Sequence, residues 1–265
     1  MQLLFFILLF VLGAAIGSFL CCQARRLHLR DTKKKKLGRR SVCMHCKKQL
    51  KWYDNIPIIS WLVLRGKCRN CHHKIGIAEF LSEIFCALTF LALGSTIDVL
   101  HASPMEWGIF VTVIIFATIM CFLGIYDGLY GELPVLFLYL AIATSLVIVI
   151  LRQAAIFASG GASWTPTLMA LASGAVLGGL YLLLYLISKG KWVGDGDWLL
   201  ALAVGLSLGS PWLAIIALFA ANFSATVVMF PIIKQKGNHK LHFGPFLVFA
   251  FVITFTFANI LESML

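Results

Sequence analysis

Two aspartates stand where a membrane protein has least reason to place them. Asp127 follows Phe122-Leu123-Gly124-Ile125-Tyr126, and Asp197 follows Val193-Gly194-Asp195-Gly196; each borders a long apolar run. An ionisable group at the edge of a membrane span is costly and is a functional site by default. Two carboxylates sharing one proton can activate water for attack on an amide. The bland alternatives are structural. Asp127 can be a wetted helix end, in a turn that closes at Pro134, and Asp197 can cap the helix that follows it. Asp195 lies between two glycines, in the more flexible and wetter part of its loop. Asp197 directly precedes an apolar run that fixes its backbone.

A second constellation lies in the polar stretch after the first apolar run. Cys43-Met44-His45-Cys46 and Cys68-Arg69-Asn70-Cys71 are two C-x2-C pairs separated by 21 residues. That spacing matches a tetrahedral four-cysteine zinc site, closed to further ligands and so structural rather than catalytic. The pairs also form a short repeat. Cys43 to Leu50 aligns with Cys68 to Ile75, each running C-x-x-C, two basic or His residues, one polar residue and an aliphatic. His45, His72 or His73 can replace one cysteine, and disulfides or free thiols are the competing reading; a reducing compartment favours metal. Cys21, Cys22, Cys86 and Cys121 lie in apolar runs and read as packing residues.

The elements that must position these groups follow from composition. The chain has 265 residues, 60% hydrophobic and 12% charged, about half the charge of a soluble domain. Apolar runs near 1–22, 80–97, 107–126, 133–151, 167–188, 197–209, 212–233 and 244–262 predict an all-α membrane protein with about eight transmembrane helices. The run at 197–209 is short. The organisation expected is a first span at 1–22, a cytoplasmic loop with the zinc knuckles at 23–78, and a multi-span core at 79–265 carrying both aspartates. The first run has no basic start; its basic cluster follows it, so it reads as a retained span rather than a signal peptide.

Charge sets the orientation. Residues 23–78 hold 16 of the 22 Lys and Arg but two of the 11 acids, a local charge of +14. With both termini outside, the stretches 23–78, 127–132, 189–196 and 234–243 are cytoplasmic and contain every Lys and Arg except Arg152, as the positive-inside tendency demands. Both aspartates then face the cytoplasm. The basic loop suits anionic lipid; nucleic-acid binding is the competing reading of so basic a segment, and we expect no nucleic-acid partner.

Several separated blocks, in order, resemble the prepilin peptidases. They are Gly17-Ser18-Phe19-Leu20 with Arg26, Ser41-x-Cys43-x-x-Cys46, Asp54-Asn55-Ile56-Pro57 with Ser60-Trp61-Leu62, and Arg65-Gly66-x-Cys68-Arg69-x-Cys71 with Glu83. The later blocks are Asp127 to Leu133-Pro134, Gly194-Asp195-Gly196-Asp197, and Phe243-Gly244-Pro245-Phe246-Leu247. The resemblance implies an aspartic endopeptidase of the bacterial inner membrane, with Asp127 and Asp197 catalytic and the Gly-x-Gly-Asp motif, Pro134 and Phe243-Gly244-Pro245 supporting them. Its implied substrates are type IV prepilins and pseudopilins, which lose a short basic leader after a Gly. It also implies methylation of the new N-terminus with S-adenosylmethionine, carried by the 23–78 region. Glu132 and Asp195 add to the negative charge at the site and are expected to attract the basic leader. The chain departs from the family in carrying Leu199 where Lys is usual, an acid at Asp195, and Cys21 where Asn is common. Leu199 bears on substrate or lipid contacts, not on hydrolysis. The rival from another class is a non-enzymatic membrane scaffold or transporter with a zinc-binding loop, its aspartates serving as ion-pathway or cap groups.

Overall fold

The computed structural model describes residues 2–31, 41–43, 45–190, 193–236 and 242–263. The basic run Lys33 to Lys36 lies outside them. Ten helices are described: α1 (Gln2–Asp31), α2 (Ile59–Val63), α3 (Ile77–Gly94), α4 (Pro104–Tyr130), α5 (Val135–Ala158), α6 (Thr165–Ser188), α7 (Asp197–Leu208), α8 (Pro211–Lys236), α9 (Gly244–Thr256) and α10 (Ala258–Ser263). A single 3-10 turn covers Trp52–Asn55. Among the described residues there is no strand, only two isolated antiparallel bridges.

All eight apolar runs are helical, and six of the helices (α1, α3, α4, α5, α6 and α8) are long and apolar enough to cross a membrane. The other two, α7 and α9, are apolar but have 12 and 13 residues, fewer than the about 20 that a full crossing takes. Two boundaries differ from the apolar pattern. Helix α1 outruns its apolar segment, continuing through Arg25 and Arg26 to a last turn holding His28 and Arg30, where cations complement the helix dipole. The final run breaks at Phe257, the C-cap of α9, before α10 begins.

The chain forms two compact units, Met1–Leu91 and Ala92–Leu265. In the first, α1 lies against α3 through Gly13 and Gly17, four residues apart on one face. A Cβ on Gly17 would come within 2.5 Å of the Ser82 carbonyl oxygen, and one on Gly13 within 2.6 Å of that of Cys86. Small residues at this spacing let apolar helices approach closely. Arg25 on α1 pairs with Glu79 on α3 at 2.6 Å. The loop is tied to α3 by the Ile58 amide, which donates to Glu83 at 2.7 Å, and by Trp61, which stacks on Phe80 at 4.4 Å.

In the second unit the short helix α7 is the most enclosed element: nine of its 12 residues are buried. Helix α6 gives it room. Ser173 donates its hydroxyl to the Gly205 carbonyl at 2.7 Å, and Gly178 leaves the space that Leu202 fills. A helix wrapped in protein on every side need not match the bilayer thickness. The flanking helices show apolar side chains outward, among them Leu136, Ile150, Leu168, Leu186 and Phe219. So many exposed apolar groups suit contact with lipid rather than water.

Candidate active site and metal centre

The thiols of Cys43, Cys46, Cys68 and Cys71 converge, all four Sγ atoms lying within 4.8 Å of one another. Two copies of one turn bring them there. In the first, the Cys43 amide donates to the Lys48 carbonyl, Lys47 donates back to Cys43, and Leu50 donates to Ser41, each at 2.9 Å. In the second, Cys68 donates to His73 and His72 to Cys68 at 2.9 Å, and Ile75 donates to Gly66 at 2.7 Å. The bridges Val42–Gln49 and Lys67–Lys74 occupy matching places, and Lys47 and His72 share a left-handed backbone, with φ of 58° and 56°. The sequence repeat is thus a structural repeat. His45 and His73 stack ring on ring at 4.2 Å, outside the group of four sulfurs.

The donor set fits a metal ion. A tetrahedron with metal–sulfur bonds of about 2.3 Å has sulfur–sulfur edges of about 3.8 Å, and Cys43 and Cys71 lie 3.8 Å apart. All eight cysteines are free thiols. The Cys71 and Asn70 amides hold the Cys68 thiol down to about 7. At Cys71 the His73 amide favours the thiolate, but burial and the crowd of neighbouring thiols outweigh it and push the group up to about 11.

Asp127 and Asp197 are both buried, 6% and 9% exposed, and their charges are close enough to act on each other. Asp127 sits in the last turn of α4. Its Oδ2 accepts the Gly244 amide at 2.8 Å, at the N-terminus of α9, where the helix dipole favours negative charge. Glycine is required at this contact, because a Cβ on Gly244 would lie 2.9 Å from Oδ2. Pro245 packs over Gly124 and Gly128 of α4, which keeps α9 in place. Asp197 opens α7, and its Oδ2 accepts the Gly194 amide at 2.9 Å. Gly196 is buried against Leu133 and Leu138, with no room for a side chain: a Cβ would lie 3.0 Å from Leu133. The Gly-x-Gly-Asp loop is therefore clamped beneath the turn that carries Pro134, the N-cap of α5. Each carboxylate is held by one oxygen, and among the described residues the other oxygen has no protein partner. That arrangement suits a pair that exchanges protons with water and an amide.

The remaining acidic residues are placed differently. Asp195 and Glu132 are exposed, while Asp195 is near enough for its charge to act on Asp197. Three residues that the motifs did not single out border the pair. His242 contacts the Gly128 carbonyl at 3.4 Å and is electrostatically coupled to Asp127. Tyr181 is buried against Phe243, with ring centroids 5.4 Å apart, and its charge environment includes Asp197. Asn222 donates its side-chain amide to the Tyr181 hydroxyl at 3.4 Å. Polar groups inside otherwise apolar helices were the available signal for Tyr181 and Asn222, as adjacency to Phe243-Gly244-Pro245 was for His242.

Residues 11–97 match the family model of the bacterial peptidase A24 N-terminal domain. The chain is 30% identical over 211 residues to the type 4 prepilin-like proteins leader peptide-processing enzyme of Escherichia coli, a match covering 78% of this chain and 71% of that one. It is 30% identical over 223 residues to the prepilin leader peptidase/N-methyltransferase of Dichelobacter nodosus, covering 82% and 71%. The similarly named protein of Myxococcus xanthus is 42% identical over 89 residues, which span 34% of this chain and 26% of that protein. No solved structure matches the chain.

Proposed function

The chain belongs to the prepilin leader peptidase/N-methyltransferase family, and from that membership we propose that it is an aspartic endopeptidase of the bacterial inner membrane. It removes the basic leader of prepilin-like substrates at the cytoplasmic face and methylates the new N-terminus. The observation that carries the peptidase reading is the buried pair, Asp127 and Asp197, each anchored through one oxygen by a backbone amide. One carboxylate takes a proton from water as the water attacks the scissile carbonyl. The other, protonated, donates to the carbonyl oxygen. The tetrahedral adduct then collapses, the leader's C–N bond breaks, and the departing amine takes a proton from the pair; which aspartate plays which part belongs to the pair as a unit. Glu132 and Asp195, exposed beside it, attract the Lys and Arg of the leader. Incubating the membrane-embedded protein with a prepilin tests the reading: a product shortened by the leader supports it, and an unchanged substrate sinks it. The orientation has its own test, since reporter fusions after Lys51 and after Leu265 should report opposite compartments.

The thiol cluster is proposed as a structural zinc site, its four ligands leaving no open position for catalysis. The loop of 41–76 has few buried apolar side chains, so the metal contributes its folding energy. The basic stretch around it faces anionic lipid.

Methyl transfer needs a donor, and a cavity in the first unit supports a site for one. A cavity of about 220 Å³ is lined by Arg25, Asp54, Trp61, Arg69, Glu79 and Glu83, among others. Two of its buried polar atoms, the Trp61 indole nitrogen and Glu79 Oε2, have no partner among the described residues. Arg25 pairs with Glu79 and Arg69 with Asp54, while Glu83 accepts from the Ile58 amide and the Ser18 hydroxyl and, among the described residues, meets no cation within ion-pair distance. An unfilled donor, an unfilled acceptor and an uncompensated carboxylate fit a cationic, nitrogen-rich ligand. S-adenosylmethionine, when bound, would supply an electrophilic methyl group to the amine. Trp61→Phe keeps the stack on Phe80 and removes the indole donor. It should weaken equilibrium binding of S-adenosylhomocysteine and leave leader cleavage unchanged; undiminished binding would place the donor elsewhere.

A further inference from the structure

Arg152 is the one Lys or Arg that the charge pattern leaves off the basic side, and neither proposed reaction uses it. It lies near the end of α5. Its Nη1 donates to the Ser207 carbonyl at 2.8 Å, at the C-terminus of α7, and its guanidinium lies 5.5 Å from the centre of the Phe255 ring. Among the described residues no carboxylate comes within ion-pair distance; Glu262 acts on it only through space. A guanidinium has five donors, and Ser207 engages one side of it.

An arginine that served only to cap α7 would need no space before it. Arg152 instead lines a cavity of about 550 Å³ enclosed by the ends of α4, α5, α7 and α9 and by the 95–102 loop. The Thr256 hydroxyl, buried without a partner, borders the same cavity. One wall is apolar, built from Phe110, Val113, Leu208 and Phe255. Asp98 and Glu106 bring two carboxylates to it, with His101 beside Asp98 at 2.9 Å. His101 and the Leu100 amide hold the Asp98 carboxyl below its usual range, so it carries its charge. The cavity is remote from the aspartate pair. Phe110 and Asp127 are 17 positions apart on α4, about 25 Å along the helix.

The ligand must satisfy all three surfaces. A purely anionic group would meet Arg152 but also two carboxylates, and a purely cationic one would meet the guanidinium. We propose that the cavity binds the headgroup of a zwitterionic phospholipid with a primary ammonium. The phosphate lies on Arg152, whose planar fork matches phosphate oxygens, and accepts the Thr256 hydroxyl. The ammonium lies toward Asp98 and Glu106, and the glycerol and first acyl carbons follow the apolar wall.

Native mass spectrometry of the full-length protein, ejected from bilayers of equal phosphatidylethanolamine, phosphatidylcholine and phosphatidylglycerol, tests this. The wild type should retain phosphatidylethanolamine over either other lipid by about fivefold, as two or three partly screened polar contacts allow. Arg152→Gln should cut retention of all three lipids, since each carries the phosphate that Arg152 meets. Thr256→Val, which leaves Arg152 on the Ser207 carbonyl, should reduce phosphatidylethanolamine retention by about threefold, the scale of one hydrogen bond. The double change Asp98→Asn and Glu106→Gln should let phosphatidylglycerol compete on equal terms. Soluble glycerophosphoethanolamine has the headgroup without acyl chains and should displace the lipid only in large excess; displacement at equal concentration would make a free metabolite the occupant and overturn the lipid assignment. Equal retention of all three lipids by the wild type would also overturn the proposal. So would unchanged retention of phosphatidylethanolamine in both Arg152→Gln and Thr256→Val.

Discussion

In the cysteine loop, four thiols converge because two eight-residue turns repeat one hydrogen-bond pattern, and every contact that shapes them is local in sequence. In the helical core, two carboxylates 70 residues apart are each gripped by a backbone amide, one of them from a helix 117 residues further on. The loop has little apolar mass, and its four thiols form a group that could hold a metal ion. The core has apolar mass in excess and uses helix packing to fix groups that would otherwise face water. On the zinc reading proposed above, the first arrangement is stabilised by a ligand and the second by its surroundings, and the two should fail under different insults.

The sharpest separation comes from the aspartates. Asp127→Asn and Asp197→Asn should each reduce leader cleavage by about 10²–10⁴-fold, the contribution of a proton-transferring group, while the bound metal stays at its wild-type level. Loss of metal in either variant would erase the distinction between the two regions. Cys43→Ser is the mirror experiment: elemental analysis should fall from about one zinc per chain to near none, and residues 41–76 should become sensitive to protease. Cleavage should fall less than in either aspartate variant. A full loss of cleavage at retained fold would show that the loop takes part in the chemistry.

Smaller effects sharpen the picture of the core. Gly244→Ala pushes a methyl group to within 2.9 Å of the Asp127 carboxylate. Such a displacement should cost about 10- to 100-fold in kcat without touching the metal. Asp195→Asn should be mildest. The residue is exposed, so turnover at saturating substrate should persist and KM rise by no more than about fivefold, with the difference shrinking as salt is raised. An inactive Asp195→Asn beside an active Asp197→Asn would reverse the assignment.

The same contrast explains what could be read in advance. The knuckles were legible because their geometry is written in contiguous residues: Cys43 to Leu50 and Cys68 to Ile75 align by eye. The eight apolar runs were legible for the same reason, since each helix makes its own hydrogen bonds. The choice of Asp197 over Asp195 rested on which residue adjoins an apolar run, and the structure buries the first and exposes the second. Neighbours across helices left no such trace. Nothing local in sequence says that Tyr181 and Asn222 on two different helices meet near Asp197, or that His242 leans on Gly128. The helix end at Asp31 was hidden because α1 continues on charged residues that hydropathy treats as loop. The unusually short α7 was visible as a short run, but its enclosure depends on Ser173 and Gly178 of α6, small residues whose role appears only with the partner helix in place.

The amide that grips Asp127 has a consequence for how the protein comes into being. Gly244 follows Asp127 by 117 residues, on a different helix. During synthesis both carboxylates are made before α9, so the nascent polypeptide carries them without the amide that holds Asp127. A chain stopped before residue 242 carries both carboxylates but lacks α9, and with it that clamp and the Phe243 ring that packs on Tyr181. The proposed pair is therefore complete only once α9 has docked against α4.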